Sequence, residues 1–312
     1  MNKVYADLLA HPPTAPNVHT TIADSLWADK GVAFEGPFLA EDRDFFGAQI
    51  ATLDLQSPAA PTAINDWVSR NTGGKIPSIV DKIPPEAILY LVNAAHFKGD
   101  WDHKFEASST GPGPFHLTDG SAVDMPMMHG TQQGTETALF QAAKLPFASD
   151  SKGTTVASMY VLVPTKGNDL RSLEASLTPE NWKRWTSSIQ TRTAILSLPR
   201  FNTDFKAGLV DPLKALGMTD AFSPTLADFR GITKDPNLPQ VWIGSVDHRA
   251  TIDVNENGAE AAAATAVGVM AGSSAVETSP LVINVDRPFL FAITDGVNGE
   301  IMFLGEVRDP RS

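Results

Sequence analysis

An α+β fold rich in sheet is what this sequence predicts, and three observations predict it. Short apolar runs bounded by glycine and proline recur along the chain. Segments of helical period lie between them. No repeat and no linker interrupts the 312 residues, so one domain over 1–312 is expected. Among the strands, residues 87–97 are almost continuously apolar, the pattern of a strand buried on both faces. Residues 156–163 read the same way and stop at Pro164, and Ile195, Leu196 and Leu198 form a shorter run. Residues 281–285, 289–293 and 301–304 are closely spaced strands, with Gly296 and Gly299 marking a turn between the last two. Among the helices, Leu8 and Leu9 sit in a short run stopped by His11, Pro12 and Pro13. Ala63, Ile64, Trp67 and Val68 recur at helical spacing before Gly73 and Gly74. Leu170, Leu173 and Leu177 mark another helix, and Thr178-Pro179-Glu180 reads as the capped start of the next. Leu209, Leu213 and Leu216 precede Gly217, a C-terminal stop.

Composition removes several function classes. The chain has no cysteine, which excludes disulfides, thiolate metal sites and cysteine nucleophiles. Its net charge is −12 and it carries no run of Lys or Arg, so no nucleic-acid partner is expected. No apolar stretch is long enough to span a bilayer, and no membrane partner is expected. Residues 1–10 lack the apolar core of a signal peptide. Of the seven histidines, His96 and His103 are the candidate metal ligands, but no carboxylate or histidine stands at the spacing of a known site. No metal and no cofactor is therefore expected. There is no G-x-S-x-G elbow, and Asn71-Thr72-Gly73-Gly74-Lys75 has Gly-Lys without the phosphate-loop spacing. It reads as a helix end followed by a turn, and the chain is not expected to be an enzyme.

One segment breaks the local rules. Gly258-Ala259-Glu260-Ala261-Ala262-Ala263-Ala264-Thr265-Ala266-Val267 should be helix by propensity. Gly268, Ala271, Gly272, Ser273 and Ser274 follow and read as a flexible exposed loop. Strands lie on both sides, and a place where local signals conflict marks a candidate functional site.

An ordered set of motifs runs through the same region. Thr251-Ile252-Asp253-Val254-Asn255-Glu256-Asn257-Gly258-Ala259-Glu260 leads into the alanines, the loop follows, and Asp286-Arg287-Pro288-Phe289-Leu290-Phe291 and Phe303-Leu304-Gly305-Glu306-Val307 close the chain. Upstream come Ile64-Asn65-Asp66-Trp67-Val68, Asn93-Ala94-Ala95-His96-Phe97-Lys98-Gly99-Asp100-Trp101, Met125-Pro126-Met127-Met128, Leu198-Pro199-Arg200-Phe201 and Ala227-Asp228-Phe229. In this order and over nearly the whole chain, the sequence resembles the serpin family. The resemblance implies a large mixed β-sheet with surrounding helices and an exposed reactive-centre loop. It implies an inhibitor of serine proteases that forms a covalent acyl-enzyme complex with its target, in an extracellular setting. A non-inhibitory serpin acting as carrier, chaperone or scaffold is the alternative.

The resemblance also assigns residues. Glu256, Gly258, Ala259, Glu260, Ala261, Ala262, Ala263, Ala264 and Thr265 match the family's hinge. Asn93 and His248 match the polar pair of the shutter, and Trp101, Arg200 and Glu256 match the breach at the top of the sheet. Counting the family's hinge length from Glu256 puts the reactive bond between Gly272 and Ser273, whereas counting back from Pro288 puts it nearer 274–277. The hinge count is preferred because the inserted length is mechanically constrained. With no Lys or Arg in the loop, elastase-like or subtilisin-like targets are expected.

The residue types suit strand insertion. About fifteen residues at roughly 3.3 Å each span about 50 Å, enough to carry an attached protease across a domain. About ten new backbone hydrogen bonds at ~1 kcal/mol each supply on the order of 10 kcal/mol. Ala259, Ala261, Ala263 and Thr265 share one face of an alternating strand, with the charge of Glu260 on the other. The competing reading of the segment is an exposed alanine-rich helix. One departure carries its own expectation. The chain starts near the family's fourth helix, without the one that lies beneath the main sheet, so residues 1–312 alone are expected to be poorly stable or to self-associate loop into sheet.

Overall fold

A computed structural model describes residues 15, 17–45, 47–85, 87–189, 192–233, 241–259 and 280–311. In chain order the elements begin with β1 (Val18–Asp29), α1 (Gly36–Phe45), β2 (Gln49–Leu53), α2 (Ala60–Asn71) and β3 (Leu89–Asp100). Then come β4 (Gly111–His116), β5 (Ala122–Glu136), β6 (Phe140–Pro146), β7 (Ala157–Pro164), α3 (Leu170–Ala175) and α4 (Pro179–Ser188). β8 (Arg192–Pro199), β9 (Phe201–Gly208), α5 (Val210–Ala215), β10 (Ile243–Asn255) and β11 (Gly258–Ala259) follow. The last are β12 (Leu281–Asn284), β13 (Phe289–Asp295) and β14 (Ile301–Val307). The fold is α+β with mixed sheets.

One compact unit comprises the described parts of Thr20–His96 and Asp204–Thr251. Its core forms where α2 lays Ala60, Ile64 and Val68 against Trp27, Tyr90, Val92 and Ala94. The helix has the apolar period its sequence predicts, and Trp67 meets Trp27 edge-on at 6.0 Å. Asn65 fixes the following loop: its amide donates to the Val80 carbonyl at 2.8 Å and its oxygen accepts from the Ile79 and Val80 amides. The apolar run at 87–97, expected to be buried on both faces, instead alternates through this unit. Tyr90, Val92 and Ala94 are buried under α2, while Leu91, Asn93 and Ala95 are half-buried. The physical reason is that α2 covers one face only, and the opposite face carries the polar Asn93.

The other unit comprises Phe97–Thr203 and Ile252–Ser312, with a short stretch before Thr20. Its eight-stranded sheet runs β12-β8-β5-β6-β7-β13-β14, with β4 paired to β5. All of β7 and β13 is buried, as their continuous apolar runs predict. α4 starts at Thr178, whose hydroxyl accepts from the Asn181 amide, with Pro179 in its first turn. Trp185 then packs on Phe140 at 4.9 Å. α3 is shorter than its leucine spacing predicts and ends before Leu177. The helical run around Leu8 and Leu9 lies outside the described residues.

Candidate functional site

Three strands define the site. β3 and β10 pair in parallel from Leu89 opposite Ile243 to His96 opposite Thr251. Further along the same strands, β11 pairs antiparallel with both, Ala259 opposite Gly99 of β3 and Val254 of β10. The sequence separation between facing residues of β3 and β10 is the same in both regions, as His248↔Asn93 and Val254↔Ala259↔Gly99 show.

Glu256 and Asn257 form the turn between β10 and β11. The Glu256 side chain is 7% exposed and receives Arg200 Nε at 2.9 Å and Nη2 at 2.6 Å. Thr110 Oγ1 donates to the same carboxylate at 2.6 Å, and the Phe105 amide donates to the Glu256 carbonyl. Burial pushes this carboxyl up, but the Arg200 and Thr110 hydrogen bonds outweigh it and hold the group below the usual glutamate range. Trp101 is 2% exposed and stacks on Phe147 at 4.5 Å. Its indole N–H donates to the Asn255 carbonyl, and its backbone amide to that of Asn257. The arrangement clamps both sides of the turn.

Gly258 adopts φ 157°, and a Cβ there would fall 1.9 Å from the Gly99 oxygen. Only glycine fits so close an approach. Ala259 is fully buried.

On the half-buried face of β3, Asn93 donates through Nδ2 to Asp24 Oδ1 at 2.5 Å, and its Oδ1 lies 2.5 Å from His248 Nδ1. The orientation of the amide makes Nδ1 of neutral His248 the protonated nitrogen. Burial lowers the His248 pKa, against the Asn93 bond and the Asp24 charge that raise it.

The structure thus brings Arg200 onto Glu256, Trp101 onto the same turn, and Asn93 onto His248. Sequence reasoning missed Thr110 and Asp24, whose roles rest on partners far away in the chain. Glu260, Ala261, Ala262, Ala263, Ala264 and Thr265, and the bond between Gly272 and Ser273, lie outside the described residues.

Comparison with known proteins gives this geometry its family. The model of a family described as "Serpin (serine protease inhibitor)" matches residues 1–310. The chain belongs to the serpin family. Serpin B11 of Homo sapiens is 32% identical over 94% of this serpin and 75% of its own length. The native-state crystal structure of the thermophilic serpin tengpin superposes with a TM-score of 0.88 at 26% identity, covering 98% of this chain and 78% of tengpin. Human thyroxine-binding globulin, solved with its hormone, shares the fold at a TM-score of 0.85 and 24% identity, covering 98% and 78%. Serpins are mostly protease inhibitors and generally not catalytic enzymes, with non-inhibitory members such as that globulin.

Proposed function

We propose that this serpin inhibits serine proteases as a suicide substrate, with its hinge inserting between β3 and β10 after the loop is cut. The observation that carries this reading is the matched register. Continued from Ala259 opposite Gly99, the segment would set Ala261 opposite Phe97, Ala263 opposite Ala95 and Thr265 opposite Asn93 and His248. Small side chains would then enter the Asn93 face, with Glu260 on the other. Insertion exchanges one parallel ladder for two antiparallel ones, a net gain of roughly one ladder of hydrogen bonds at ~1 kcal/mol each.

Val269 would fall opposite Leu89, where β3 begins. A cut after Gly272 then lies just beyond the end of the added strand, which supports Gly272–Ser273 over a bond at 274–277. The uncharged residues before it suit an elastase-like or subtilisin-like pocket.

The test is incubation with elastase and with subtilisin, followed by denaturing gel electrophoresis and mass spectrometry of the released peptide. A covalent complex and a peptide starting at Ser273 are expected. Complete cleavage with no complex would overturn inhibition in favour of a carrier, chaperone or scaffold, and a cut after Glu277 would indicate a glutamate-specific protease.

A further inference from the structure

A cavity of about 500 Å³ opens beside β13, lined by Arg171, Arg287 and Arg308 together with His116, Asn168 and Asp169. Three arginines and one aspartate are thus gathered in one wall. Each charge has a traceable state. Asp169 is occupied by the Ser172 amide at 2.9 Å and its hydroxyl at 2.6 Å. Arg287 spends Nε on Asp286 and Nη1 on the Pro164 carbonyl. Arg308 spends Nε and Nη2 on Glu306 and Nη2 on Glu174. Arg171 makes no hydrogen bond or ion pair among the described residues, and it feels Asp169 and Glu174 only through space.

A guanidinium has five N–H donors, so these bonds leave Nη2 of Arg287 and Nη1 of Arg308 with donors to give. The carboxylates of Asp286, Glu174 and Glu306 match the three guanidinium charges, and Asp169 adds a fourth, so an anion would be held here by directed N–H donors and not by net charge; the same carboxylates hold two of the guanidinium planes in place. Arg287 and Arg308 are 35% and 43% exposed, so their heads are partly withdrawn from water. Planar, pre-oriented guanidinium groups match tetrahedral oxyanions through paired N–H contacts. The volume is that of a small-molecule site.

We propose that this cavity binds a small ligand bearing a phosphate or sulfate group, with the Arg171 guanidinium closing on it. The site is separate from the hinge. Its ligand would bear on Arg287, which lies between β12 and β13 in the segment that follows the loop.

Isothermal titration of the 312-residue chain at constant ionic strength tests this, with pyrophosphate and a monosaccharide sulfate as probes and acetate as control. Saturable binding with one site is expected for at least one probe, and the tighter of the two identifies the source. Arg171→Gln should weaken it about tenfold, one charge-assisted contact, while leaving the melting curve in place because Arg171 holds nothing together. Arg171→Glu should abolish it. No saturable binding of either probe, or unchanged affinity in both variants, overturns the proposal.

Discussion

Glu256 is a carboxylate withdrawn from water with Arg200 and Thr110 as its compensation, so the cost of removing each partner differs. Thr110→Val should cost about 1 kcal/mol, one hydrogen bond to a charge that keeps its main partner. Arg200→Met should cost more, about 1–3 kcal/mol, because a carboxylate 7% exposed then loses its counter-charge. Arg200 itself is half exposed, which keeps the figure below that of a fully buried pair. Denaturant unfolding measures both. The folded pKa of Glu256 is depressed, so this stability is present above the ordinary glutamate value and is lost as pH falls through the lowered one. His248 acts higher on the pH scale. Its folded pKa lies below the ordinary 6.5, so the unfolded chain takes up the proton first. The contribution of neutral His248 is present above 6.5 and is lost as pH falls through the folded value. His248→Gln should flatten the dependence of unfolding midpoint on pH across that window; an unchanged slope would show that another group sets it.

At the scale of the element, β11 is two residues long and has no slack. Gly258→Ala puts a methyl carbon against the Gly99 carbonyl, so β11 must move away from β3. Ala259→Arg places a charge where the wild-type side chain is fully buried, at a cost of several kcal/mol. Both residues are already paired in the intact chain, so these changes destabilise the turn end of the sheet from the outset, and on the proposed mechanism a displaced β11 also slows the insertion that starts from it. The protease then completes hydrolysis and leaves. Stoichiometry of inhibition against elastase should rise for both variants, with most of the variant recovered as cut serpin. The sharper test is Ala263→Arg, at a position the proposed register sets opposite Ala95 only after insertion; that variant trapping protease at the wild-type stoichiometry would rule insertion out.

The whole molecule bears the consequence of the shared register. In the intact chain β3 and β10 satisfy each other directly over 89–96 and 243–251. If the cut segment inserts, the sheet gains a strand and the molecule gains on the order of 10 kcal/mol, comparable to the stability of an ordinary domain. Nicked protein should therefore melt far above intact protein in calorimetry. Equal melting temperatures would favour a non-inhibitory serpin whose sheet stays closed.

Much of this was legible in the residues. The continuous apolar runs announced β7 and β13, the Thr178-Pro179 cap announced α4, and the period of Ile64 and Val68 announced α2. β5 was not legible, because it alternates between buried and exposed positions and has no apolar run to notice. The pairing of Arg200 with Glu256 and of Asn93 with His248 came from the ordered motifs of the family; no spacing between them demands it. Thr110 and Asp24 escaped notice because a hydroxyl 146 residues from Glu256 and a carboxylate 69 residues from Asn93 carry no local mark. The sequence by itself determined the elements that local patterning dictates, the alternation of small residues after Gly258, and the family. Only the tertiary structure decided that Thr110 and Asp24 complete those pairs and that β3 and β10 keep one sequence offset beside each other and beside β11, since these depend on how distant strands align.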